Sequence, residues 1–302
     1  MRRARPALRR TLHRMRLLCE PAAFPAAEVA ALGRYGHGTR RSLAAYEAFA
    51  HLETADIATP AATLTVVRIL NWHYIFDGEQ ELMLADTPAK VVPRLKAEVT
   101  ARAIDRHDHI LHAHAAAVEH AGRLIVFPAA GGAGKTLLTA RLLSLGATYF
   151  SDETALLRRD GTMRPIPTAL SVKAGGIAAL AAAFPGLGAL PEHEREDGAM
   201  VRYLPPPKSC LPSPARALRP ALLVFPRYVP ESAVVLRRLT HADALGRLLA
   251  ECLAIPRRLD VEAVAAIVSM TEQTSCWELI MGDLTEAARQ VMRLADDTGV
   301  AT

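Results

Sequence analysis

The chain is 302 residues long, with 51% apolar and 22% charged residues and a mean hydropathy of +0.13. This is a globular rather than a disordered composition, long enough for one large domain or two ordinary ones. No apolar run approaches the ~18 residues needed to cross a bilayer, so no membrane span is expected.

The formal charge of +5 is concentrated at one end: residues 1–20 hold seven arginines and one acid, and the rest of the chain sums to −1. A basic arm on a neutral body argues against a nucleic-acid-binding fold. Residues 1–20 read as a solvated arm, with contact to an acidic partner or a phosphate backbone as the alternative. The arm has no continuous apolar segment of a secretory signal and few serines for a transit peptide. Cys19, Cys210, Cys252 and Cys276 lie far apart with no CxxC pair, which argues against a zinc site or a disulfide framework. Reduced thiols in a cytoplasm are the expectation.

Residues 21–104 are expected to form a small α+β appendage. Stretches 26–32 and 43–52 read as helices, and 64–70 as a β-branched strand that 72–76 continues. Asp77-Gly78 then predicts a hairpin with 81–84 as the return strand. Residues 87–110 read as a long amphipathic helix.

From His112 onward the pattern sharpens. Residues 114–118 and 123–127 read as short strands around a turn at 119–122. Next comes Ala129-Ala-Gly-Gly-Ala-Gly-Lys135-Thr136, followed by a helix over 137–145 that Gly146 closes in the left-handed conformation. A strand at 148–150 ends at Ser151-Asp152-Glu153; 154–157 continues extended, 159–162 turns and 163–166 returns. Residues 185–220 contain eight prolines, a density that predicts an extended excursion rather than a packed element, and such segments are often functional. Strands follow at 221–225, 234–239 and 275–281, with helices at 242–253, 261–270 and 285–295.

The strongest chemical signal is Gly131-Gly132-Ala133-Gly134-Lys135-Thr136 between a strand and a helix. Glycines let backbone N–H groups turn inward around phosphate oxygens, and the helix N-terminus adds positive character. The lysine then reaches the β/γ-phosphates and the hydroxyl ligates Mg²⁺. Ala129 stands where the usual GxxxxGK[ST] pattern has its first glycine. Asp152-Glu153, seventeen residues after Lys135, suits metal binding and the orienting or deprotonating of an attacking hydroxyl. Strand alternation lets one of the two face the nucleotide, and Asp152 is favoured. His112 and His114 sit two apart on a predicted strand and share a side. With no third ligand at suitable spacing, His112 and His120 read as ordinary histidines.

These segments, from His114-Ala-Ala-Ala-Val118 through the glycine loop to Tyr149-Phe-Ser-Asp152-Glu153, resemble the HPr serine kinase/phosphorylase family. The likeness is greatest to the HPr-kinase-like proteins that include lasso peptide kinases. It spans about residues 105–290 and continues through 167–173, 201–206 and 224–228. The resemblance implies an α/β fold whose P-loop kinase core is of the HPr kinase/PEP carboxykinase type, occupying 105–302. It implies ATP and Mg²⁺ use and transfer of the γ-phosphoryl to a serine hydroxyl. By the same resemblance His114 matches the family's active-site histidine, and Asp152 with Glu153 its Asp-Asp pair. Lys173, Arg202 and Arg227 fall in family-like segments and are candidate clamps for phosphate or substrate, with ordinary surface charge as the alternative. Leu137 stands where the HPr enzymes carry Glu, which puts phosphorylase activity and recognition of HPr in doubt.

The expected activity is therefore phosphoryl transfer from ATP to a hydroxyl of a peptide or protein, a peptide natural-product precursor among the acceptors. The Pro-rich excursion is then a cover for that acceptor. A small-molecule P-loop kinase and a non-catalytic nucleotide-binding regulator are the alternatives, and a homo-oligomer is left open.

Overall fold

In the computed structural model of the chain, residues 72–77, 80–213, 215–254 and 260–297 are described in full. Strands β1 (Leu17–Leu18), β2 (Ala26–Leu32), β3 (Gly38–Ser42) and β4 (Leu64–Ile69) are described by their backbone. The remainder of the N-terminal arm and residues 43–52, expected to be helical, lie outside the described residues. The contacts divide the chain into two compact units, residues 1–103 with 190–205 and residues 104–189 with 206–302. Among the described residues, no helix is long and apolar enough to cross a membrane.

The first unit is built on a six-stranded sheet completed by β5 (Trp72–Asp77) and β6 (Gln80–Ala85), in the order β1-β2-β4-β5-β6 with β3 also on β2. Residues 26–32, predicted helical from their alanine content, form a strand instead. Here β2 pairs antiparallel with β3 and parallel with β4, and pairing on both edges outweighs a local propensity worth a few tenths of a kcal/mol per residue. The predicted continuation from β4 into β5 is a reversal, since the two strands pair antiparallel from Leu64↔Asp77 to Ile69↔Trp72. The hairpin predicted at Asp77 joins β5 to β6.

Helix α1 (Val91–Arg106) follows and buries Val91, Val92, Leu95 and Val99; it stops short of residue 110. Arg102 bonds both Asp77 and Glu98. The Pro-rich region contains a hairpin of β13 (Glu192–Glu194) and β14 (Met200–Leu204). Pro191 and Pro205 bracket it, and no proline lies between them, so its backbone donors are intact where the ladder needs them.

The second unit is mixed α/β. Its main sheet runs β10 (Thr148–Ser151), β8 (Ala115–His120), β9 (Arg123–Pro128), β15 (Pro220–Tyr228), β18 (Ser275–Met281), β16 (Val235–Arg238). Strand β9 is antiparallel to β8 and parallel to β15, and β15 is parallel to β18. A two-residue turn at Ala121 (φ 50°) and Gly122 (φ 76°) closes the β8–β9 hairpin with the twist that antiparallel strands favour.

On one face Leu124, Val126, Leu223, Phe225 and Cys276 pack with Ala244 and Leu248 of α4 (His241–Ala250) and Ala263, Ile267 and Met270 of α5 (Val261–Glu272). On the other, α2 (Lys135–Ser144) and α6 (Leu284–Asp297) pack against each other and against β8, burying Leu138, Leu142, Ala288 and Val291. Each fully buried aliphatic side chain contributes about 1.5–3 kcal/mol. Gly146 has φ 98° and ends α2, its N–H bonding the carbonyl of Leu143 at 3.0 Å.

Two expectations change here. Residues 112 and 114 do not share a strand: β7 (Leu111–Ala113) belongs to a small sheet with β11 (Ala155–Leu157) and β17 (Cys252–Ala254), whereas β8 belongs to the main sheet. His114 is the bend between them. The return strand expected at 163–166 is reduced to bridges of Met163 with Leu157 and Leu218, because Pro165 and Pro167 have no N–H to continue a ladder. The turn before it forms: Arg158 N–H bonds Thr162 O at 2.9 Å.

Candidate functional site

The glycine loop joins the C-terminal end of β9 to the first turn of α2. Gly132 and Gly134 have φ of 89° and 94°, a region in which an L side chain is strained. A Cβ on Gly134 would also stand 2.5 Å from Met281 Cε and 3.5 Å from Tyr228 Cβ. Ala129, at the usual first-glycine position, has no such requirement, since its φ is not positive; the substitution of a methyl there leaves the loop's path intact. Gly134 is the N-cap of α2 and no side chain caps that end. The amides of a first helical turn have no intrahelical partner, and here they open the helix directly after the loop.

Lys135 is 6% exposed, and its Nζ donates to the carbonyls of Ala129 and of Ala130, the latter at 3.0 Å. Burial pushes its ammonium below the ordinary lysine range, while the charges of Asp152, Glu251 and Glu153 pull it back up and Lys173 adds to the lowering. Beside it, Thr136 Oγ1 donates to Asp152 Oδ2 at 3.1 Å. Asp152 is fully buried, and the same oxygen accepts from the Ser171 N–H at 3.3 Å. Tyr149, also fully buried, donates its hydroxyl to Thr168 O at 2.7 Å. Burial, reinforced by Asp152 and Glu153, raises its phenol well above the usual range.

Of the sequence candidates, Lys135, Thr136 and Asp152 are thus joined through direct bonds or fields, and Glu153 follows Asp152 in the chain, half-buried. His114 reaches the loop by its backbone: its carbonyl accepts from Ala129 N at 3.4 Å. Gly131 and Ala133 are loop positions without positive φ. Lys173 is exposed and close enough to act on Lys135. Arg227 is exposed at the end of β15, next to the Tyr228 that flanks Gly134. Arg202 is engaged in its own hairpin unit, bonding Leu190 O and pairing with Glu192. His120 pairs with Asp296 at 3.0 Å, and burial lowers the affinity of His112 for a proton. Leu137 packs on Gly176, where a Cβ would lie 2.5 Å from its Cδ2.

Sequence reasoning missed Ser171, whose amide holds Asp152, and Glu251, whose carboxylate Oε2 lies 3.8 Å from His114 Nδ1. Neither carries a local motif. Among the described residues, no group of three or more His, Cys, Asp or Glu side chains gathers to hold a metal. One hydroxyl and one carboxylate are hard oxygen donors that suit Mg²⁺, a cation that takes its other ligands from phosphates and water. No protein-family model matches the chain, and no curated protein matches it either.

Proposed function

We propose that the chain is an ATP- and Mg²⁺-dependent kinase that transfers a γ-phosphoryl group to a hydroxyl, a serine of a peptide or protein, on a P-loop core of the HPr kinase and PEP carboxykinase type. The observation that carries this reading is the contact of Thr136 Oγ1 with the buried Asp152 carboxylate at 3.1 Å, directly after a loop whose glycines adopt positive φ.

In this reading the loop amides and the first turn of α2 bind the phosphate oxygens, and Lys135 leaves the Ala129 and Ala130 carbonyls to neutralise the β/γ-phosphates. Thr136 and Asp152 would hold Mg²⁺, which would supply neutralisation of phosphate charge. Glu153 takes the proton of the acceptor hydroxyl as its oxygen forms a bond to the γ-phosphorus. The bond from that phosphorus to the β–γ bridging oxygen breaks, and ADP leaves with the electron pair. The tight turn at 158–162 after the acids supports this class over small-molecule P-loop kinases, whose chain tends to run there into a helix. Reverse phosphorylase chemistry is not proposed, because Leu137 places an apolar side chain where that chemistry has an acid.

The test is incubation with ATP, Mg²⁺ and serine-containing peptides, followed by mass measurement, with calorimetry for nucleotide binding. Transfer that disappears in Lys135→Ala and Asp152→Asn supports the kinase. Nucleotide binding with no transfer to any hydroxyl replaces it with a nucleotide-binding regulator.

A further inference from the structure

Helix α4 ends on Glu251, whose N–H caps back onto the carbonyls of Leu248 and Leu249. A carboxylate at the negative end of a helix is unfavourable, so its placement calls for a compensating cation nearby. Two candidates stand there. Glu251 Oε2 lies 3.8 Å from His114 Nδ1, with the two side chains 21% and 27% exposed, and its charge also acts on the Lys135 ammonium.

The backbone holds this arrangement from both sides. His114 N–H donates to Glu251 O at 2.8 Å, and the next residue, Cys252, pairs with Ala113 where β17 meets β7. His114 O in turn accepts from Ala129 N, and the Ala129 carbonyl accepts from Lys135 Nζ. A continuous series of bonds therefore runs from the end of α4, through the bend where the chain changes sheets, into the phosphate loop.

We propose that Glu251 is a positioning residue for His114, fixing its imidazole at the bend whose backbone carbonyl bonds the glycine loop. This role rests on the kinase reading for its consequence in turnover. A carboxylate beside Nδ1 favours the ring orientation and the tautomer that keep a proton on that nitrogen. The 3.8 Å separation is an ion-pair distance rather than a hydrogen bond, and catalytic contacts commonly tighten when the substrate binds. The other charged groups facing this pair are Lys135 and, on the histidine side, His112.

The experiment uses the full chain labelled with ¹⁵N-histidine, with the His114 signals assigned by their loss in His114→Ala. In Glu251→Gln and Glu251→Ala the His114 ¹⁵N shifts are expected to move as its tautomer bias is lost. Phosphoryl transfer from Mg·ATP to a serine-containing peptide is expected to fall about 10–100-fold in Glu251→Ala, the range seen for residues that orient a ligating histidine. The KM for Mg·ATP should stay within a factor of about three, since a positioning role acts on kcat. Adding Glu251→Ala to His114→Ala should cost nothing further. Unchanged ¹⁵N shifts of His114 in both Glu251 variants would overturn the proposal, as would losses that multiply in the double variant. If the wild type neither binds nor hydrolyses Mg·ATP, the kinase reading fails, and the His114 spectra still decide the role of Glu251.

Discussion

Asp152→Asn separates what the buried acid does for the fold from what it does for a ligand. Asp152 Oδ2 accepts from Thr136 Oγ1 at 3.1 Å and from Ser171 N at 3.3 Å, and an asparagine carbonyl oxygen can accept both. A hydrogen bond to a charged group contributes about 1.5–3 kcal/mol and a neutral one about 0.5–1.5 kcal/mol, so the two together weaken by about 2–3 kcal/mol. Against this, the substitution removes an ionised group from a fully buried position, where the desolvation penalty is several kcal/mol. The terms nearly cancel. The variant should melt within about 5 °C of the wild type, given about 2–4 °C per kcal/mol for a unit of this size.

Binding should respond very differently. Asparagine is a poor Mg²⁺ ligand beside a hydroxyl and cannot neutralise the cation. The affinity for ATP in the presence of Mg²⁺ should fall about 10–100-fold, while the affinity without Mg²⁺ should not fall, since one of the carboxylates opposing free nucleotide is gone. Calorimetry at saturating Mg²⁺ and in excess chelator reads both numbers, and scanning fluorimetry reads the melt. Because Asp152 helps hold the proton on Lys135, ATP affinity in the variant should also begin to decline at a lower alkaline pH than in the wild type. Wild-type dependence on Mg²⁺ in Asp152→Asn would refute the assignment of this carboxylate to the metal. A loss of more than about 4 kcal/mol of stability would show instead that the charge is a structural necessity.

Three further outcomes are expected. Gly134→Ala should destabilise by about 1–3 kcal/mol through its positive φ and the approach of Met281 and should abolish nucleotide binding, whereas Gly131→Ala, with no positive φ and open space around it, should leave the melt unchanged; calorimetry and fluorimetry on the pair check this. Leu248→Ala, at a fully buried position under the sheet, should cost about 2–5 kcal/mol in guanidinium unfolding. The Asp260 carboxyl, which caps α5 through Ala263 N and binds Arg159, is depressed from 3.8 to about 2 chiefly by that guanidinium. Its contribution is therefore complete above about pH 4 and lost as pH falls toward 2, so Arg159→Gln should begin acid unfolding at higher pH, read by circular dichroism.

The parts of this molecule legible from sequence are those fixed by chemistry within a few residues. The turn at Ala121-Gly122, the left-handed cap at Gly146 and the Arg159–Thr162 turn depend on backbone preferences that the residues carry with them. The glycine loop is legible for the same reason, though which of its glycines need positive φ, Gly132 and Gly134 but not Gly131, is seen only in the structure. What local pattern cannot supply is a partner distant in the chain. Residues 26–32 have helical composition but become a strand because β3 and β4 lie on either side. His114 has the alternation of a strand residue but occupies a change of sheet, because Glu251 and Ala129 take its backbone groups. Glu251 itself is invisible locally, apart from being an acid at the wrong end of a helix.

The same charges bear on how a nucleotide would enter. Around Lys135 the field is set by three carboxylates, Asp152, Glu251 and Glu153, against one further ammonium, Lys173. These carboxylates oppose the approach of a triphosphate that the loop amides favour, and Lys135 is additionally committed to the Ala129 and Ala130 carbonyls. Additional positive charge arriving with a polyanion would favour displacement of those carbonyls. Mg²⁺ at Thr136 and Asp152 is the cation for which the donor set is suited, so metal and nucleotide should bind as a linked pair, each raising the affinity for the other by the same factor. Under the proposed kinase reading, the excess of acid around the glycine loop would act as a discriminator, favouring Mg·ATP over free phosphate or nucleotide stripped of its metal.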